Sequence, residues 1–208
     1  MPSLRGILRR IKTPRGTPED PLAESPEVHE RNLWIAARIV AGTTILFFLA
    51  FVFAYFYLRS LNNAGEWRPS HLDPPDRYGT AIVFLFATSA GSFAYGADAA
   101  RKGRGWLPAA GLALALGLAG CVVQVFEYAH LGFGPLDGGY ASVFIGWTVF
   151  FVLFALMALY WVEILFAEGL RHRHGSATYV PAGLGDAAFY WGLLAGIGVL
   201  TWAILYLL

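Results

Sequence analysis

Five stretches of this chain are apolar for long enough to cross the hydrocarbon core of a bilayer as helices, which takes about 20 residues each. They run over about 33 to 58, 79 to 100, 106 to 130, 139 to 166 and 186 to 208. In hydrocarbon every backbone N–H and C=O must be satisfied within the protein, so a spanning chain forms helices or a closed barrel. A barrel shows alternating segments of about ten residues, and these runs do not alternate. A chain of 208 residues that is 57% hydrophobic, with mean hydropathy +0.53 and formal net charge +1, is also too apolar for a soluble domain. The reading is an all-α integral membrane protein with five transmembrane helices and no nucleic-acid partner.

Residues 1 to 32, rich in Pro and in both charge signs, read as a cytoplasmic tail ahead of a transmembrane domain over 33 to 208. Arg9 and Arg10 are followed by polar, Pro-containing residues rather than by the apolar core of an export signal. Basic residues set the orientation. Arg5, Arg9, Arg10, Lys12, Arg15 and Arg31 precede the first run, Arg101, Lys102 and Arg104 lie between runs two and three, and Arg171 and Arg173 follow run four. The connection "LGFGPLDGG" between runs three and four has none. The N-terminus is therefore expected inside, although Arg59, Arg68 and Arg77 in the first loop weaken the asymmetry. Ser25, Pro26 and Glu27 have the form of an N-cap, a first-turn proline and a first-turn acid, so the first helix is expected to begin before its apolar run.

Counted at about 1.5 Å per residue, Arg38, Asp98 and Glu163 fall near the inner interface and Glu127 near the outer one. The bilayer centre then holds only polar candidates such as Thr43, Thr44, Thr88, Ser92 and Gln124. A carrier needs polar or titratable groups along its path, usually at the midplane, so a self-contained transporter is disfavoured. Arg38, Asp98 and Glu163, at similar depth, could pair with one another or bind lipid head groups. Small residues recur at helical spacing: Ala109, Ala113, Gly117 and Cys121 on run three, Ser142 and Gly146 on run four, Gly192 and Gly196 on run five. Such stripes allow close helix packing, and Gly117, Ser142, Gly146, Gly192 and Gly196 are the expected packing positions. Cys121 is the single cysteine, so no internal disulfide forms.

The stretch "QVFEYAH", residues 124 to 130, carries the sharpest chemical question. Gln124, Glu127 and His130, three apart, share one side of a helix. Glu-x-x-His is half of a di-iron signature, but that site needs a second copy and two further carboxylates, which the chain does not provide. A Glu127–His130 proton relay to the outer surface is the other chemical reading. The favoured one is polar packing: Gln124, Glu127, Tyr128 and His130 tie the helix end to a neighbour, and no catalytic or metal-ligating residue is assigned.

"QVFEYAHLGFGPLDGGYASVFIG" resembles the subunit III family of haem-copper cytochrome oxidases in the order Gln-x-x-Glu-Tyr, a polar loop with Gly-x-Tyr, and Ser-x-Phe. The residues are Gln124, Glu127, Tyr128, Gly139, Tyr140, Ser142 and Phe144. "FFLAFVFAYFYLRS", "ATSAGSFAYGADAARKGR" and "FYWGLL" are similar to further parts of that family, so the likeness covers nearly everything after residue 33. Five helices fit the short bacterial form of the family. Three departures stand out: Thr44 where the family usually has Glu, "GWTVFFV" where it has Gly-x-His-x-x-His, and a residue near Ala195 where it has Asp.

The resemblance implies a divergent, non-catalytic subunit III of a bacterial terminal oxidase in the cytoplasmic membrane. Such a subunit packs against oxidase subunits I and II, binds phospholipid and supports proton uptake. Haem and copper belong to the partner subunits, and membership of a larger respiratory supercomplex is left open. It further implies helices 33 to 58 and 79 to 100 on one side of a lipid cleft and the other three on the other. The departures keep two alternatives: an accessory protein of a nitric oxide reductase, and an independent small membrane carrier or scaffold.

Overall fold

A computed structural model describes residues 25 to 61, 67 to 68, 72 to 172 and 179 to 208. Among them the chain forms five helices and no strand: α1 (Pro26–Leu61), α2 (Asp76–Arg101), α3 (Leu107–His130), α4 (Gly139–His172) and α5 (Leu184–Trp202). A π-helical turn, Ala203–Leu207, continues α5. All five are long and apolar enough to cross a membrane, which makes the protein a multi-pass membrane protein. Most of the expected tail, residues 1 to 24, lies outside the described residues, as does Arg173.

The boundary expected at residue 33 falls inside α1. The Ser25 carbonyl accepts the amides of Val28 and His29 at 3.0 and 3.1 Å, its hydroxyl accepts Val28 N–H at 3.4 Å, and Glu27 occupies the first turn. These groups satisfy helix-start donors that the apolar run does not report. α4 likewise outlasts its run by six residues. Gly169 allows the Trp106 and Leu107 side chains to lie against its backbone, where an added Cβ would stand 2.5 Å from Trp106 Cζ2. Packing thus holds the helix past the end of its apolar stretch.

α2 and α3 form the tightest pair. Gly103, at φ +66, reverses the chain between them, and the Arg104 amide closes the turn on the Ala99 carbonyl at 2.8 Å. The small face of α3 (Ala110, Ala113, Gly117, Gly120, Cys121) is buried. Two serines of α2 cross to α3 carbonyls: Ser89 to Ala113 at 2.6 Å and Ser92 to Ala109 at 2.9 Å. Close backbone approach is what makes such bonds reachable.

α5 is the central helix. Half of its apolar window is buried, against 22% for α1, and it packs on α1, α2 and α4. Its Trp191 donates to Ser89 Oγ at 3.0 Å, and its Tyr190 hydroxyl lies 3.1 Å from Thr44 Oγ1. α1 meets α4 through an aromatic seam: Phe47 lies 5.2 Å from both Phe150 and Phe154, and Phe51 stacks on Trp147 at 5.8 Å. The pairing of the first two helices on one side of a cleft is not what the packing shows: α1 rests on α4 and α5, while α2 rests on α3 and α5. The short turn and the small facing residues commit α2 to α3 instead.

Candidate functional site

The end of the bundle that carries the α1–α2 and α3–α4 connections gathers the polar side chains of "QVFEYAH". Glu127 is fully buried and Gln124 is 3% exposed. Gln124 Nε2 donates to Glu127 Oε2, and the Tyr206 hydroxyl donates to Glu127 Oε1. The carboxyl of α3 is thereby tied one turn back along its own helix and across to the π turn that ends the described chain. Gly79 of α2 makes room for this, because any Cβ there would collide with the Tyr206 ring.

The π turn leaves backbone carbonyls that need donors. The Tyr140 hydroxyl of α4 donates to Leu205 O at 2.6 Å, and Arg68 Nη1 approaches the Leu205 and Tyr206 carbonyls at 3.4 and 3.3 Å. Arg68 is itself held by Asp73 at 2.9 Å, with its guanidinium 5.1 Å from the Tyr140 ring centroid. Trp67 sits edge-on between Tyr55 and Tyr140, at 5.3 and 5.9 Å. One cluster therefore joins α1, α2, α3, α4, the first loop and the end of α5.

The four residues expected to tie the α3 end to a neighbour separate into two groups. Gln124 and Glu127 enter the cluster. Tyr128 is half-buried, and its hydroxyl finds no hydrogen-bond partner among the described residues. His130 is exposed: its Nδ1 lies 2.7 Å from Phe126 O and its ring 5.4 Å from that of Tyr78. A Glu127–His130 relay is not formed, because a spacing of three drifts around the helix and the outer turn leaves the core. Among the described residues no group of three or more His, Cys, Asp or Glu is placed to hold a metal.

The expected Arg38, Asp98 and Glu163 cluster does not form either. Arg38 of α1 pairs with Asp186 in the first turn of α5, and its guanidinium lies over Trp34 at 4.3 Å and Phe189 at 4.7 Å. Asp98 pairs with Lys102 on its own helix at 2.6 Å, and Glu163 is exposed. Equal depth did not imply equal azimuth. Around Arg38 opens a broad mouth lined also by Glu27, Glu30, Arg31, Arg101 and Tyr179. Beside it Tyr179 donates to Glu168 and stacks on His172 at 4.2 Å. The Glu168 carboxylate, together with partial burial, pushes the Tyr179 phenol up to about 12.

The small residues also part ways. Gly117 is a packing position, with a Cβ there 2.5 Å from Leu159 Cδ2 and 3.1 Å from Trp191 Cζ2. Gly146 meets only Phe51, at 3.6 Å. Ser142 is exposed and donates to the Pro135 and Gly138 carbonyls at 2.6 and 3.0 Å, so it shapes the loop before α4 rather than a helix interface. Gly192 and Gly196 are exposed, and a Cβ at either would meet nothing within 4 Å; a close contact on α5 falls instead at Gly198, where a Cβ would stand 2.8 Å from Phe151 Cζ. Tyr206, Arg68 and Asp186 escaped sequence reasoning. The signals were a tyrosine near the end of the last apolar run, a basic residue beside Trp67 in the first loop, and an acid where a helix begins.

Comparison with known proteins adds no assignment: no family model matches the chain, and no curated protein matches it.

Proposed function

We propose that this chain is a non-catalytic subunit III of a bacterial respiratory terminal oxidase, a multi-pass protein of the cytoplasmic membrane with its N-terminus inside. It packs against subunit I beside subunit II, binds phospholipid on its apolar faces and supports proton uptake and the stability of the complex. In this reading haem and copper sit in the partner subunits, which carry out oxygen reduction.

One observation carries the reading. Several of the residues on which the resemblance rests hold helices to one another. Gln124 and Glu127 bond within the α3 end and to Tyr206. Tyr140 holds the Leu205 carbonyl, Phe144 packs edge-on against Tyr206 at 5.5 Å, and the Tyr190–Trp191 pair reaches Thr44 and Ser89. That is the arrangement of a supporting subunit whose polar residues build its own frame. Thr44, at the position where the family usually has Glu, is likewise taken up by Tyr190 and by the Val40 carbonyl at 2.7 Å.

The test is affinity purification of the tagged chain in mild detergent, followed by mass spectrometry of what accompanies it. Oxidase subunits I and II in fixed proportion are the expected companions. A nitric oxide reductase would replace the reading by the accessory-protein alternative, and a chain purifying alone would leave it an independent membrane protein.

A further inference from the structure

We infer that Glu127 is a proton-holding site: a neutral carboxylic acid whose proton exchanges, through the Tyr206 hydroxyl, with a water molecule in the adjoining cavity. The inference does not rest on the proposed oxidase role. Glu127 is fully buried, and the groups that bond its two oxygens, the Gln124 amide and the Tyr206 phenol, are both neutral. The other titratable groups beside it are Tyr128 on its own helix and Tyr140 on α4; Arg68 and Asp73 of the first loop, which pair with each other at 2.9 Å, flank Tyr140 and the Leu205 and Tyr206 carbonyls. α2 presents Gly79 at this point, which has no side chain. Burying an unpaired carboxylate costs more than two neutral hydrogen bonds return, so the carboxyl keeps its proton.

The cavity is lined in part by the same two donors. Gln124, Thr148, Thr201 and Tyr206 line it among apolar neighbours, and about 20 Å³ is open to the centre of a water molecule, room for one. Thr148 and Thr201 donate their protons to the Phe144 and Ile197 carbonyls, each at 2.8 Å, which leaves hydroxyl lone pairs to accept from a water. With the acid protonated, Glu127 donates to Tyr206 Oη and the phenol donates to that water. One concerted transfer breaks the Glu127 O–H and the Tyr206 O–H, and forms a new O–H on Tyr206 and one on the water. The products are a carboxylate, an unchanged phenol and a hydronium ion; the reverse step reloads the site.

Infrared spectroscopy of the full chain, purified with its companions into lipid nanodiscs, tests this at neutral pH. A carbonyl stretch of a protonated carboxylic acid is expected in the wild type and not in E127Q, moving on transfer to D2O, with Y206F keeping the band but slowing its movement several-fold. A carboxylate stretch assigned to Glu127 would overturn the proposal, as would a protonated band that D2O leaves in place or that moves as fast in Y206F. Should E127Q fail to fold, solid-state NMR of wild-type protein carrying 13C-carboxyl glutamate decides instead. One glutamate at the protonated position supports the site; all at the carboxylate position refutes it.

Discussion

The Tyr206 hydroxyl reaches the Glu127 carboxyl across the space that Gly79 leaves open, and so ties the last turn of the chain to the end of α3. The bond is buried on all sides, and its three participants come from three helical segments. Removing any one should therefore be felt as loss of packing at this end of the bundle.

Replacing Tyr206 with Phe keeps the ring and removes the donor. The variant is expected to lose about 1 kcal/mol, the scale of a buried side-chain hydrogen bond in a membrane protein, measured as a lower unfolding midpoint in detergent. An unchanged midpoint would show that the bond contributes nothing net.

Gly79→Ala and Gly192→Ala form a contrasting pair. The first drives a methyl into the Tyr206 ring, and overpacking of this kind costs about 1–3 kcal/mol. The second adds a methyl on an exposed face with nothing within 4 Å, so its effect is neutral or slightly stabilising within a helix. Thermal unfolding of both variants side by side reads the difference, and equal losses would contradict the packing described.

Arg38 and Asp186 clamp α1, about three turns past its first residue, to the start of α5, whereas Asp98 and Lys102 meet on the surface of one helix. Asp186→Asn is expected to lower stability by about 1 kcal/mol, and Asp98→Asn to leave the unfolding midpoint where it is, because water screens an exposed pair. A double-mutant cycle between Arg38 and Asp186 isolates the coupling. A zero coupling energy would mean that the pair is only a surface contact.

Tyr179 supplies a pH window. Its neutral form is held by Glu168, which raises the folded value to about 12 from an ordinary value of 10.0. A group raised on folding contributes stability fully below its unfolded value and loses it as pH climbs through the folded one. The contribution should thus be whole below about pH 10 and gone by about pH 12. Phenolate absorbance followed through that range, wild type against Y179F, reveals a late-titrating tyrosine if the bond is present.

Much of this architecture was legible from apolar run length, because hydrocarbon thickness and backbone satisfaction leave few alternatives. The Ser25 cap was legible as well, since capping is a local matter of three or four residues. Which helices touch was not. The expected pairing of the first two helices gave way to α2 on α3, a choice made by the Gly103 turn and by serines reaching opposite carbonyls. Of the candidate site, Gln124 and Glu127 could be picked out as buried polar residues, but their partner Tyr206 lies 79 positions from Glu127. The partners of Arg38 were not legible from its depth, because depth is a sum along the helix and azimuth depends on how each helix is turned.

The reading of the chain as an oxidase subunit is tested most directly by one spectrum, the reduced-minus-oxidised visible difference of the material that purifies with the tagged chain in mild detergent. The account predicts haem absorbance in constant ratio to this chain, together with oxygen consumption by the same fraction. A colourless preparation of the chain alone, still folded and stable, would contradict it.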